Sequence, residues 1–265
     1  MINGILICST LHSNVCNRFT RHGIPCYNVC HTKKWTNFVD TKVKNTLAFL
    51  QDKHDTTTWI FLDADILVNW NLIHNKLESY NFSNKVTVSA DPCCWIGRDC
   101  SKTDADHFYP VLESETPFIN AGAYAGPVGL LRKLLAHIVF VCNSKDDQYC
   151  MTHAYLNNIV PMTIDTDQHI FGSLADSRAH LRNLYKGTCT CFHKGTLHVH
   201  SFPYERSRTY FMKENCEIAT GSRESSVFYH GNGPVGKVAW RHFKTQKQSC
   251  MRHQQRARPT SQSSP

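Results

Sequence analysis

The sequence predicts an α/β fold: a Rossmann-like, mainly parallel sheet flanked by helices. Three observations predict it. Short apolar runs alternate with segments of helical spacing along most of the chain, as βαβ units require. Trp59-Ile60-Phe61-Leu62 is apolar without alternation, which fits a central strand covered on both faces. Finally, 265 residues with 41% hydrophobic and 19% charged side chains allow one sizeable core and argue against global disorder.

Taken in order, residues 2–8 read as a buried strand followed by a polar loop, 14–22 as a helix and 24–29 as a second strand. Residues 41–50 have helical spacing, with Val43, Leu47 and Leu50 on one face. A strand is expected at 59–62 and another at 85–89, then helices at 129–141 and 148–156. Residues 178–222 loosen into short alternating segments, read as a hairpin or extended excursion. Residues 227–229 form a short strand entering a glycine-rich loop. The expected organisation is one domain over 1–243 and a basic, disordered tail over 244–265, polar and ending in Ser and Pro.

The formal net charge is +8, and Lys244, Lys247, Arg252, Arg256 and Arg258 carry much of it at the end of the chain. The body is only mildly basic, so a nucleic-acid partner is not expected. A phosphate-bearing small molecule needs no more charge than this. Thirteen cysteines, an odd number, show no regular framework. Free thiols in a reducing compartment are the simplest expectation, with disulfides of a secretory compartment as the alternative. Residues 1–10 lack the basic lead and long apolar core of a signal peptide, and no stretch is apolar enough to span a membrane. The sequence as it stands therefore reads as cytoplasmic; work in the secretory pathway would require another protein or a further segment to bring it there.

Chemistry concentrates in a few segments. Asp63-Ala64-Asp65 closes the apolar run from Trp59. Side chains at i and i+2 of an extended strand share a side, so two carboxylates converge where a strand leaves the sheet. Two such charges repel unless a cation lies between them, and a divalent metal bridging to a diphosphate resolves this. An Asp-rich turn or helix cap is the plainer alternative. In Val227-Phe-Tyr-His230-Gly-Asn232-Gly233-Pro234 a strand delivers a histidine to a loop whose glycines allow close approach of a ligand. Imidazole beside carboxylate favours Mn²⁺ over Mg²⁺. An ordinary Gly-Pro turn with a surface histidine is the alternative there.

Phe118-Ile-Asn120-Ala-Gly122-Ala123 offers small residues that let a donor sugar, or only a packed helix, approach the backbone. Asp146 and Asp147 stand at an expected helix start, where acidic residues are also favoured by the helix dipole. Asp165 leaves an expected strand. Cys189, Cys191, His193, His198 and His200 crowd together, but their spacing matches no common zinc motif, and polar alternation on a solvent-facing hairpin is the expectation.

In this order the segments resemble the glycosyltransferase domain of the procollagen-lysine hydroxylases: paired aspartates after a strand, Tyr109-Pro110, Asn120 to Gly122, Asp147-Gln148, Ile164-Asp165 with Ile170-Phe171, and His230 to Pro234. The resemblance runs from Ile5 to about Phe243 and implies a GT-A nucleotide-sugar transferase fold, Mn²⁺ and a UDP-sugar donor. It makes Asp63, Asp65 and His230 the metal ligands, and Asp146 and Asp147 the acidic stretch needed for transfer, with Asp165 a further catalytic candidate. It places Thr10, Lys42, Asp63, Ala64, Asn120, Gly122, Asn232 and Gly233 along the donor.

The chain also departs from that family. One residue separates the aspartates here where the family usually has two, as in glycogenin-like transferases, and no hydroxylase domain is matched. The implied reaction moves a hexose from a UDP-sugar to a hydroxyl of a protein or glycan, with hydroxylysine or galactosyl-hydroxylysine of a collagen-like protein as one acceptor class. If configuration inverts, Asp147 or Asp165 is the candidate base. A glycogenin-like or glycan-directed transferase, a nucleotidyltransferase and an inactive UDP-sugar-binding module are the alternatives; Cys8 to Ser13 lacks the glycine and lysine a nucleotidyltransferase loop would carry.

Overall fold

A computed structural model describes residues 2–8, 15–30, 37–91, 118–142, 144, 146–174, 188–193, 196–201, 210–213, 216–220, 225–231 and 233–257. Its strands are β1 (Ile2–Cys8), β2 (Cys26–Asn28), β3 (Thr58–Asp63), β4 (Ile66–Val68), β5 (Val86–Asp91), β6 (Phe118–Pro127), β7 (Met162–Asp165), β8 (Phe171–Ser173), β9 (Thr188–His193), β10 (Thr196–Ser201), β11 (Tyr210–Met212), β12 (Ile218–Thr220) and β13 (Phe228–His230). Its helices are α1 (Val15–Arg21), α2 (Lys44–Leu50), α3 (Ile73–Ser79), α4 (Val128–Phe140), α5 (Asp147–Leu156) and α6 (Gly233–Ala257). A π-helical turn, Val39–Val43, runs directly into α2.

Six strands form the central sheet in the order β2-β1-β3-β6-β5-β7. The β1–β2, β1–β3 and β5–β7 pairs are parallel, and only β6 runs against its neighbours. The expected mainly parallel sheet is present, with helices on both faces. β3 shows why its sequence does not alternate. Trp59 and Phe61 join the core formed with α2, α4 and α5, whereas Ile60 and Leu62 join the core formed with α1 and α3. In α4, Leu131, Leu134, Leu135 and Ile138 repeat at helical spacing and all are buried. Each such side chain contributes about 1.5–3 kcal/mol on leaving water.

β6 is the strand that the sequence hides. Its Asn-Ala-Gly-Ala stretch has weak strand preference, yet it lies in the sheet between β3 and β5. Its pairing with β5 jumps from Val88↔Tyr124 to Ser89↔Asn120, so Ala121–Ala123 bulge out of that ladder. The bulge frees backbone groups beside the β3 terminus, as such irregularities often do near functional sites.

A smaller sheet, β4-β13-β8, packs beside the main one, with β13 antiparallel to β4 and parallel to β8. α6 closes over it. The expected disordered tail is corrected here: residues 244–257 are helical, and 258–265 lie outside the described residues. Physically, Phe243 is buried with Leu67, Leu174, Ile218 and Tyr229. Buried Lys247 donates to the Cys216 carbonyl at 2.8 Å and to Asn69 Oδ1 at 3.3 Å. A segment too polar to announce a docked helix is thus held by the Phe243 ring, with Trp240 packed beside it, by the Lys247 ammonium and by a disulfide from Cys250 to Cys216.

The expectation of free thiols is also corrected. Disulfides join Cys8–Cys30, Cys16–Cys26, Cys142–Cys150 and Cys216–Cys250. These cysteines are far apart or irregularly spaced in sequence, which is why no framework was legible. Cys142–Cys150 ties the end of α4 to α5, and Cys216–Cys250 ties α6 to the body. The hairpin expected in 178–222 is β9–β10, whose register sets His198 opposite Cys191 and His200 opposite Cys189; the side chains of that cluster lie outside the described set. No helix among the described residues is long and apolar enough to cross a membrane.

Candidate metal and donor site

β3 ends at Asp63, and a turn over Ala64 and Asp65 leads into β4. The two carboxylates converge through this turn rather than through the alternation of one extended strand. β4 pairs with β13 so that His230 sits opposite Ile66, and the next rung is the Gly231 N–H donating to the Asp65 carbonyl at 3.2 Å. A short antiparallel ladder thereby brings a residue from the far end of the chain onto the β3 exit.

His230 Nε2 lies 3.0 Å from Asp65 Oδ1 and 3.9 Å from Asp63 Oδ2. One ligand atom from each residue falls within 4.8 Å of the others, a spacing that admits a single cation. The Asp63 and Asp65 side chains keep 23% and 32% exposure while His230 keeps 6%, so the imidazole is the floor and the carboxylates face solvent.

The proton on His230 is fixed by Asn120. Asn120 Nδ2 donates to Asp91 Oδ2 at 2.8 Å, and Asn120 Oδ1 accepts the Gly122 N–H at 2.7 Å, which sets the amide's orientation. Its Oδ1 then accepts from His230 Nδ1 at 3.0 Å. With the proton on Nδ1, a neutral ring turns the lone pair of Nε2 toward Asp65. Two lone pairs at that distance require a proton or a metal ion between them, and this is the oriented histidine that metal sites employ. Gly122 permits the arrangement: a Cβ there would lie 2.1 Å from His230 Cε1 and 2.4 Å from Nδ1.

Lys42, carried by the π-helical turn, is buried on the other side of Asp63. Its ammonium meets Asp147 Oδ2 at 2.5 Å and Asp63 Oδ1 at 3.2 Å, and it donates to the Ala121 carbonyl at 3.2 Å, released by the β6 bulge. Gln148 Oε1 accepts the Ala121 N–H at 3.4 Å. Burial opposes charge on Lys42, but Asp147 and Asp63 outweigh it and its pKa is raised. Burial raises the Asp63 carboxyl despite Lys42 and His230. Burial alone would lower His230, yet Asp65, with Asp63 behind it, raises it above the ordinary histidine value. Asp63, Asp65 and Asp147 against one ammonium leave an excess of negative charge that a divalent cation matches.

The other expected residues divide. Ala64 is exposed at the turn between the aspartates, and Gly233 begins α6 close after His230. Thr10 and Asn232 lie outside the described residues. Asp146 caps α5, its Oδ1 accepting the N–H groups of Gln148 and Tyr149 at 3.0 and 3.2 Å. Asp165, expected as a catalytic candidate, is held by the turn that follows it: its oxygens accept the N–H groups of His169, Ile170 and Phe171 at 3.0, 2.9 and 2.8 Å. Sequence reasoning treated Asn120 as a donor contact and missed that it orients His230. It also missed the Lys42–Asp147 pair, which no local spacing announces.

Two carboxylates, an oriented imidazole and a solvent-facing mouth at the carboxyl end of a parallel strand suit an enzyme that handles an anionic, metal-bound group. The model of the PLOD GT domain matches residues 37–197, more than half of the chain, and the chain belongs to that family and is a glycosyltransferase. Its sheet has the form expected of the GT-A type. No curated protein matches the sequence. Among solved structures, the chain is similar to a glycosyltransferase involved in glycosylating the major capsid of PBCV-1, at 10% identity over 92% of this chain and 100% of that one, TM-score 0.48. It is similar to mouse xyloside xylosyltransferase 1 at 13% identity over 87% and 84%, TM-score 0.45. It is also similar to the galactosyltransferase LgtC at 12% identity over 85% and 75%, TM-score 0.42. Overlaps this loose carry no assignment of substrate.

Proposed function

We propose that this glycosyltransferase moves a hexose from a UDP-sugar to a hydroxyl group of a protein or glycan, using a divalent cation, Mn²⁺ in preference to Mg²⁺, held by Asp63, Asp65 and His230. The observation that carries the reading is the Nε2 lone pair of His230 set against the Asp65 carboxylate, with Nδ1 tied to Asn120. When bound, the cation offsets charge developing on the departing diphosphate. The chain's own residues do the rest. Asn120 and Gly122 hold the imidazole in place. Lys42 fixes Asp63 and Asp147 relative to each other and neutralises part of their charge.

Asp147 is the carboxylate proposed to stand near the reacting sugar, because Asp146 and Asp165 are occupied by backbone N–H groups. Hydroxylysine or galactosyl-hydroxylysine of a collagen-like chain is the acceptor class that the family favours. The test follows UDP release across several UDP-sugars with Mn²⁺, with Mg²⁺ and with chelator. Metal-dependent release from at least one UDP-sugar is expected. Equal release in chelator would remove the metal from the proposal.

A further inference from the structure

Asn81-Phe82-Ser83 is the one Asn-x-Ser/Thr sequence in the chain. It lies in the connection between α3 and β5, where Asn81 and Ser83 are exposed and Phe82 is buried against Tyr80, ring centroids 4.6 Å apart. Phe82 anchors the turn to the core and leaves the two polar residues outside. The Ser83 N–H donates to Asn81 Oδ1 at 3.0 Å, and the Ser83 hydroxyl donates to the same oxygen at 2.6 Å. The carboxamide is therefore held by its oxygen alone; its Nδ2 donates to nothing among the described residues. The hydroxyl and the amide of this tripeptide already share the compact turn that pairs them chemically.

The second observation is the state of the cysteines. Among the described residues four disulfides are distributed over the fold, and Cys8, Cys30, Cys142, Cys150 and Cys216 within them are buried. Bonds of this number and burial form and persist in an oxidising compartment, which is where asparagine in an Asn-x-Ser sequence meets glycan-transferring machinery.

We propose that Asn81 is an N-glycosylation acceptor. In the step, Asn81 Nδ2 bonds to the anomeric carbon of a lipid-diphosphate-linked oligosaccharide. The carbon–oxygen bond to the diphosphate breaks, its electron pair leaves with the diphosphate, and an amide proton passes to a base of the transferring enzyme. The topology accommodates the product. β5 starts at Val86, just after this turn, and runs to Asp91, which hydrogen-bonds Asn120 in the metal site. Five residue steps of strand, about 17 Å, put the glycan at the opposite end of the sheet from the donor mouth.

The test expresses the full chain, behind a secretory leader, in cultured animal cells, and adds translation into endoplasmic-reticulum microsomes as a second assay. Digestion with a glycan-releasing amidase should lower the mass and convert Asn81, and no other asparagine, to aspartate. Asn81→Gln and Ser83→Ala should each abolish the shift. Metal-dependent UDP release should be unchanged in Asn81→Gln, within about two-fold. An unmodified Asn81 peptide in both the secreted and the microsomal protein would overturn the proposal.

Discussion

The Asp65 carbonyl accepts the Gly231 N–H at 3.2 Å, and the side chain of Asp65 meets that of His230, the residue before Gly231, at 3.0 Å. A backbone rung and a side-chain contact thus coincide. Any change that slips the β4–β13 register by one residue would turn His230 to the opposite face, so the site depends on the small sheet as much as on its ligands.

Gly122→Ala tests how tightly the imidazole is held. The added methyl would overlap His230 Cε1, at 2.1 Å, and the ring or β6 must move. Outer-sphere changes of this kind cost about 10–100-fold in metal affinity. Mn²⁺ affinity, read by the magnetic resonance of the free ion, should fall by that much while far-UV circular dichroism is kept. Unchanged affinity would mean that His230 is not positioned through this contact.

Lys42→Met should be among the most destabilising substitutions near the site. It leaves Asp147, 6% exposed, and Asp63 without their ammonium. Breaking a buried pair by removing one partner costs about 3–5 kcal/mol. Denaturant unfolding should show that loss, and a Lys42→Met/Asp147→Leu double variant should recover part of it. A single variant as stable as the parent would show that the pair contributes little.

Metal affinity should rise with pH through the raised His230 pKa. In the metal-free protein the folded imidazole holds its proton more tightly than the unfolded one, because the pull of Asp65 and Asp63 outweighs burial. That contribution to stability is fully present below the unfolded value of about 6.5 and is lost as pH rises through the folded value. A metal must displace this proton, so metal-induced stabilisation, measured as a shift in Tm, should be small at low pH and grow at and above about pH 6.5. His230→Gln should flatten the profile.

Truncation after Phe243 removes Lys247 and Cys250, and with them the bonds to Asn69 and Cys216 and one disulfide. Loss of such a disulfide alone costs about 2–5 kcal/mol. The truncated protein should melt markedly lower, because Asn69, which also binds Ile218 and Ser226, helps hold the β4–β13 ladder. Equal melting temperatures would show that the second half of α6 is dispensable.

Much of the fold was legible because its causes are local. The unbroken apolar run at Trp59–Leu62 and the spacing of Leu131, Leu134, Leu135 and Ile138 announce their elements directly. The Asp63, Asp65 and His230 cluster, which could hold a metal ion, was legible as residue types, because a carboxylate pair at a strand end and a histidine entering a glycine-rich loop stand out locally. What escaped depends on distant pairing. β6 is a strand because β3 and β5 flank it, against the preference of its own alanines and glycines. The three N–H donors that the following turn supplies to Asp165 were not legible from its place at a strand end. Lys247 looked like tail charge until Asn69 and Cys216 gave its ammonium a buried site.

The most direct test of the account is a crystal of the protein grown or soaked with Mn²⁺ and UDP. The account predicts one ion bonded by Asp63, Asp65 and His230 Nε2, with oxygens of the diphosphate completing its coordination and Nδ1 still on Asn120. An ion held by the aspartates with His230 turned away, or UDP bound with no ion at this point, would contradict it.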